Sequence, residues 1–400
     1  MTTVETKNNK ALMLTILLIA FIQMGHLAIM PGIDRIESEA FPERSLQEVQ
    51  TVMSLPNAVA LITGIAAALL VRYGLISKKT MVLAGIIFIA LTGVSALAFN
   101  SQFWHLYLMN SFLGAGMGVY IPSTQSIMFD SFEGKKLQFL SGMQVAISNV
   151  GGIVMSVVAG LLITIVWYGG HTVMLVALPI AVMALFTIPK DEKIRPSSKN
   201  GGKITKIPGG IYYITILIFV YMIVYNVAGM NISTHIANGD IGDAATAGVA
   251  SALMMAGGVV AGLLFPKVSQ ILRDNIFPLS LIFLFIGFTL MNLFPSSLAA
   301  TLAAMAICGI SLSLYMPRCI FNAAKHTDPT NSATATLLIS CIAPASGSFL
   351  SPVIVTNLTI LLGGDSTRFR YQFTAFVCLV LASLTFAKSY RDSKKHKGGM

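Results

Sequence analysis

Long apolar runs recur along the chain, separated by short polar gaps. At 1.5 Å per residue, about 20 helical residues cross about 30 Å of hydrocarbon. That ruler predicts helices over residues 11–31, 46–71, 80–99, 103–129, 137–167 and 171–188, and again over 210–235, 244–266, 276–294, 298–323, 333–362 and 371–388. The runs are too long and too uniformly apolar for the alternating ten-residue segments of a barrel, so membrane-spanning strands are excluded. The first run lacks a small-residue cleavage site and is followed by many more, so it is expected to stay as a helix.

The polar gaps carry an uneven charge. With Lys7 and Lys10 placed inside, 22 of the 26 Lys and Arg lie on that side and only Arg35, Arg44, Arg368 and Arg370 lie on the other. Basic loops resist translocation, so this asymmetry predicts both termini in the cytoplasm. The string PKDEKIRPSSKNGGKITKIPGG carries six basic residues, four glycines and three prolines, the composition of a flexible linker. It divides the chain into a bundle over 1–188, a cytoplasmic linker over 189–209, a second bundle over 210–388 and a basic cytoplasmic tail over 389–400. The expected fold class is all-α: a polytopic membrane protein with twelve transmembrane helices in two pseudo-symmetric six-helix bundles.

Composition agrees, with 55% hydrophobic and only 10% charged residues, well below the quarter or so of a soluble domain. The net charge of +10 faces anionic lipid and is not interleaved with aromatics on one surface, so no nucleic-acid partner is expected. Cys308, Cys319, Cys341 and Cys378 lack metal-ligand spacing and are expected to be reduced and packed. No metal or cofactor is implied.

The two halves repeat. At an offset of 195, Gly114, Tyr120, Pro122, Gly152 and Ser156 recur as Gly309, Tyr315, Pro317, Gly347 and Ser351. At an offset of 200, Thr15, Ile16, Leu17, Ala28 and Met30 recur as Thr215, Ile216, Leu217, Ala228 and Met230. An even number of helices per half makes this a parallel repeat.

Local strings carry a family resemblance. AALLVRYGLISKK between helices 2 and 3 keeps Arg72, Gly74, Lys78 and Lys79 of a Gly-x-Leu-x-Asp-Arg-x-Gly-Arg-Arg pattern, with Val71 where the Asp would stand. NSFLGAG in helix 4 keeps Gly114 and Gly116, with Asn110 in place of an Arg, and helix 5 keeps Gly142, Gly151 and Gly160 of an antiporter pattern with Met155 and Ser156 replacing its Gly-Pro. With the parallel halves and basic central loop, the chain resembles the major facilitator superfamily of secondary transporters. The resemblance implies alternating access of two halves about a site near the membrane midplane, with helices 1 and 7 across a central cavity from each other.

Candidate solute contacts follow from polar groups inside apolar helices, where exposure to lipid is costly. His26 lies one turn beyond Gln23 in helix 1, and its repeat equivalent is Asn226, beside Tyr225 on helix 7. The plainer alternative for His26 is a structural histidine bonded to a neighbouring helix. On helix 10, Ser311, Tyr315, Arg318 and Asn322 share one face. Arg318 is expected to hold an anionic solute or to close a gate with Asp130, the alternative being a snorkelling interfacial Arg. Asp34, Glu48 and Arg72 complete the candidates for gating or coupling. Small-residue stripes such as Gln144, Ser148, Gly152 and Ser156 read first as helix packing.

All sixteen acidic residues fall in loops, tails or helix ends, so the cavity is expected to be neutral to positive. This favours a small anionic or neutral organic solute. Proton coupling through His26, uniport and solute exchange all fit that inventory. The alternatives are multidrug efflux by proton antiport and, more remotely, an integral-membrane enzyme, for which His235, Asp240 and Asp243 make the nearest polar cluster. The expected setting is a bacterial inner membrane, the expected partners are the solute, the lipid bilayer and in one scheme protons, and the expected state is a monomer.

Overall fold

The computed structural model describes residues 3–72, 75–132, 134–189, 208–324 and 338–398, in two compact units, Met1–Lys203 and Ile204–Met400. Much of the linker therefore lies outside the described residues. Among the described residues there are no strands. Among the same residues, eleven helical stretches are long and apolar enough to cross a membrane. The twelfth, Phe103–Ser131, has the length but carries His105, Asn110, Ser123, Thr124 and Gln125.

The first unit holds α1 (Thr3–Phe21), α2 (Leu46–Arg72), α3 (Lys78–Ala98), α4 (Phe103–Ser131), α5 (Gly134–Ile165) and α6 (Ala177–Thr187). The second holds α7 (Gly209–Asn238), α8 (Ala244–Leu272), α9 (Ile276–Leu293), α10 (Leu298–Ala324), α11 (Ala343–Leu361) and α12 (Thr367–Gly398). Local sequence explains several boundaries. Ser77 caps α3 by accepting the Thr80 N–H at 3.2 Å, and Asp243 caps α8 by accepting the Thr246 N–H at 3.0 Å. Lys79 donates to the Leu185 and Ile188 carbonyls, at 2.7 and 2.6 Å, and so closes the end of α6.

The repeat is visible in the packing. In the first unit α4 packs on α2 and α3, α5 on α1, and α6 on α3; in the second α10 packs on α8 and α9, α11 on α7, and α12 on α9. Adding six to each helix number converts one set into the other. The repeated glycines make equivalent contacts, since a Cβ on Gly114 would lie 2.5 Å from the Pro56 carbonyl oxygen of α2, and one on Gly309 would lie 1.6 Å from the Met254 carbonyl oxygen of α8. Tyr120 and Tyr315, six residues further on, are both fully buried. Lipid supplies little hydrophobic drive between helices, so such backbone approach is a principal source of cohesion.

Two helices differ from the expected continuous rods. After Phe21 the first apolar run leaves α-geometry and continues as short pieces, Gly25–Leu27, Met30–Gly32, Ile33–Arg35 and Ile36–Ala40. Pro31 has no N–H to give, and the segment tightens into three-residue bonds, Ala28 N to Gly25 O at 2.9 Å and Gly32 N to Ile29 O at 3.1 Å. The sixth run likewise begins in pieces, Gly169–Thr172 and Val173–Val176. These two broken segments touch: a Cβ on Gly25 would lie 3.0 Å from Met174, and one on Gly170 would lie 3.2 Å from the Ala28 carbonyl. Helix 11 is described from a π-turn at Leu338–Ile342 onward, while 333–337 lie outside the described residues. Residues 389–398 of the basic tail continue α12 to Gly398, where Lys and Arg at a helix C-terminus suit the helix dipole.

Because Gly309 has no room for a side chain, Gly309→Val should cost about 1–3 kcal/mol or more and lower the melting temperature of the purified protein. Gly262→Ala, where an added Cβ meets nothing within 4 Å, should leave the melt unchanged. Equal melts for the two variants would contradict the packing role.

Candidate functional site

In the N-terminal unit the broken segment of helix 1 carries the candidate side chains. Gln23 and His26 sit in the turn and the Gly25–Leu27 piece, where main-chain bonds no longer follow the α-pattern. His26 is partly buried, and its Nδ1 is enclosed without a hydrogen-bond partner. Irregular backbone inside a membrane protein is tolerated only where it is buried in protein or lines a cavity, so the break and the histidine mark one place. Arg35 holds the C-terminal part of the segment, pairing with Glu39 at 2.5 Å and donating to the Ile163 carbonyl near the end of α5. Asp34 is half-buried beside it. Glu48 is a cap rather than a core group: it accepts the Ser45 N–H at 2.9 Å, Ser45 Oγ accepts the Glu48 N–H at 3.2 Å, and Arg44 lies 3.6 Å away. The side chains of Arg72 and Asp130 lie outside the described residues, and with them the expected Arg318–Asp130 gate.

In the C-terminal unit α7, α9, α10 and α11 assemble a polar and aromatic network. The Tyr221 and Tyr315 rings stack at 3.8 Å between centroids and 10° between planes, and Tyr225 stacks on Tyr221 at 5.9 Å. The Tyr221 hydroxyl and Ser311 Oγ are 2.7 Å apart, and Ser311 donates to the Ser280 carbonyl at 2.7 Å. Tyr315 donates to the Leu217 carbonyl at 3.2 Å. Asn226 donates to the Met222 carbonyl at 2.8 Å and to Ser348 Oγ of α11 at 2.9 Å, while remaining partly exposed. Arg318 is only 4% exposed and reaches Ser269 Oγ on α8 at 3.2 Å.

The expected stripe on helix 10 is therefore turned mostly into the bundle. Ser311 and Tyr315 make their hydrogen bonds to α9 and α7, Tyr225 joins them through its stacking on Tyr221, and Asn226 is tied separately to Ser348 of α11. Tyr221 is the hub that sequence reasoning missed, although it stands one turn before Tyr225. Two groups that the sequence reading set aside, Arg370 as an external charge and His235 in a cluster with Asp240 and Asp243, are buried. Arg370, 2% exposed, pairs with Asp365 at 2.9 Å and donates to Asn231 at 3.3 Å, and His235 lies 3.1 Å from Thr301. In the first unit His171 is 1% exposed, within the broken start of helix 6.

Apolar helices of this length, paired in two similarly packed sets with polar groups held inside each set, define a multi-pass membrane protein built on a repeat. The chain belongs to the Major Facilitator Superfamily, whose sequence pattern matches residues 9–212 and 214–399. No curated protein sequence matches it. Similar solved structures include the POT family transporter PepTSo, with a TM-score of 0.76 at 12% identity over 96% of this chain and 98% of that one. The peptide transporter POT in complex with sulfate gives 0.75 at 14% identity over 96% and 94%, and the nucleoside transporter NupG gives 0.73 at 13% over 94% and 98%. At such identities the likeness is one of fold.

The hydrogen-bond chain from Tyr221 through Ser311 to the Ser280 carbonyl sets an order of costs. Tyr221→Phe should lose about 1 kcal/mol, whereas Ser311→Ala, which strands the buried Tyr221 hydroxyl, should lose about 1–3 kcal/mol in thermal melts. The reverse order would refute the network.

Proposed function

We propose that the chain carries a small organic solute, anionic or neutral, across the membrane by alternating access. One observation carries this reading: among the described residues the buried ionisable side chains are Lys78, Arg318, Arg370, His105, His171 and His235, together with neutral-range Tyr and Cys, and none is Asp or Glu. A cation entering such an interior would meet no compensating charge, while an anion would. Gln23 and His26 supply contacts from the broken helix 1, and Tyr225, Asn226 and Arg318 supply them from the second unit. Ser311 and Tyr315 hold the wall behind Tyr221. Asp34, Glu48, Arg72, Asp130 and Arg318 are the proposed gating and coupling groups, and His26 is the proposed proton carrier if transport is proton-coupled. In this reading 1–188 and 210–388 are the two six-helix bundles, 189–209 is a cytoplasmic linker and 389–400 a cytoplasmic tail of a monomer in the inner membrane. Efflux of cationic drugs by a carboxylate-based proton antiport is disfavoured by the same inventory.

Proteoliposomes loaded with matched organic anions, neutral solutes and cations test this. Wild-type protein should move members of the first two groups, and His26→Ala should slow that movement about tenfold or more while keeping the wild-type elution profile. Cations moving with anions inert would sink the substrate reading, and a wild-type rate for His26→Ala would remove that residue from the site.

A further inference from the structure

The first apolar run breaks between Phe21 and Ile33, and its copy in the second unit does not. Residues 221–238, at an offset of 200 from 21–38, lie inside the continuous helix α7. The sixth run behaves in the same way. Leu161, Leu162 and Phe186 recur at that offset as Leu361, Leu362 and Phe386, and residues 369–376, the copies of the broken stretch 169–176, lie inside the continuous α12. We propose that the two breaks of the first unit form one hinge, and that helix 1 has a second, continuous conformation in which Ser156 of α5 bonds its main chain as Ser351 of α11 bonds that of α7. Alternating access supplies the use of such a motion, but the motion itself is read from this unit and its copy alone.

Proline alone does not impose the break. Pro56, Pro122, Pro317 and Pro352 all lie inside helices that run on past them. A proline removes one main-chain bond and bends a helix without having to end it. The stretch after Phe21 instead passes through two three-residue-bonded pieces and ends in a π-turn over Ile36–Ala40, and such departures inside a helical run often mark hinges.

An unmet bond lies at the same place. Ser156 is fully buried and its Oγ has no partner. Its copy at an offset of 195, Ser351, is also buried and donates to the Ile223 carbonyl of α7 at 2.6 Å. Met155, the residue before Ser156, reaches the break, since its Cε would lie 3.0 Å from a Cβ on Gly25. His26 Nδ1, beside Gly25, and His171 Nε2, in the break of helix 6, are enclosed and unpartnered as well. A buried polar atom without a partner raises the energy of the form that leaves it so, and a conformation that pairs Ser156 recovers that cost.

The two breaks are in contact and can give. A Cβ on Gly170 would lie 3.2 Å from the Ala28 carbonyl oxygen, so the start of helix 6 follows helix 1 when it moves. Met155 and Met174 meet Gly25 with their tips, and such unbranched side chains refit to a displaced neighbour. In the second unit the matching interface is bonded instead. Arg370 stands where Gly170 does and Asn231 where Pro31 does, and they meet at 3.3 Å, with Asp365 on the same guanidinium at 2.9 Å. Tyr371, the copy of His171, is fully buried and stacks on Phe288 at 5.7 Å. Arg370 Nε and the Tyr371 hydroxyl are unpartnered there too, but the main chain around them is continuous helix. The second unit therefore holds this pair of helices fixed, and the first unit carries the moving pair.

Double electron–electron resonance on the full chain in lipid nanodiscs tests this, with Cys308, Cys319, Cys341 and Cys378 replaced by alanine. Spin labels at the exposed Leu14 and Ser38 span the break, and labels at the exposed Ile216 and Asn238 span its copy. A continuous helix sets the first pair about 36 Å apart along its axis and the second about 33 Å. The unsubstituted background should show two distances for the first pair, one of them that of the continuous form, and a single distance for the second. Ser156→Ala removes a bond that only the continuous form makes, and should lower its fraction at least twofold. Gly170→Ala crowds the Ala28 carbonyl in the broken form, and should raise that fraction at least twofold. Gly25→Val, which crowds Met155 and Met174, takes its place if Gly170→Ala does not elute as the wild type does. One distance for the first pair, two for the second, or a fraction that fails to move in the stated direction in either variant overturns the proposal. The measurement contains no solute, so its failure leaves the anion reading standing and failure of that reading leaves the hinge standing.

Discussion

Hydrocarbon cannot hydrogen-bond a main chain, so every N–H and C=O of a spanning segment must be answered from within the protein. The fold follows from that constraint. It forces the apolar runs into helices, and it lets Ser and Thr sit inside them by bonding back to the preceding turn, as Thr15 does to the Ala11 carbonyl at 2.9 Å and Thr374 to the Arg370 carbonyl at 2.7 Å, or across to another helix, as Ser351 does to the Ile223 carbonyl at 2.6 Å. It also sets the cost of the irregular stretch after Phe21. That stretch meets the cost with three-residue backbone bonds, with a close fit against the broken start of helix 6, and with Arg35 on the Ile163 carbonyl.

The same constraint shapes the interior chemistry. Several polar side chains that enter the bundles are tied to one another, Tyr221 to Ser311, Asn226 to Ser348 and Arg370 to Asp365 and Asn231. Isolated charges are costly there, and those that are buried among the described residues are cationic or histidine. The proposed preference for anionic or neutral solutes is thus a statement about which charge this interior can neutralise. It does not depend on any single side chain, although His26 carries an enclosed, unpartnered Nδ1 in the broken helix 1, as His171 carries an unpartnered Nε2 in the broken start of helix 6.

Helix positions were legible in the sequence because length and apolarity alone determine what can span a bilayer. The parallel repeat was legible through Gly114-x5-Tyr120-x-Pro122 and its copy at Gly309, because a glycine packed against a neighbouring backbone leaves no freedom to vary. The break in helix 1 was not, since Pro31 and Gly32 sit in a run that stays apolar through the break and hydropathy is blind to backbone geometry. The face of helix 10 was read correctly as one stripe, but its orientation depends on Tyr221 and Ser280 of other helices, which no spacing within helix 10 encodes. Arg370 read as a loop charge because Asn231, which draws it inside, lies 139 residues away.

The central claim is that the lack of a buried carboxylate among the described residues sets the charge of the solute. It is tested most directly by introducing one and measuring, in proteoliposomes, the uptake ratio of an anionic and a cationic solute of the same shape. At a few ångströms and an effective dielectric near 20, a new carboxylate opposes an anion by about 4 kcal/mol. The account predicts that Asn226→Asp, with an unchanged elution profile, lowers the anion-to-cation ratio by about tenfold or more. An unchanged ratio would contradict it.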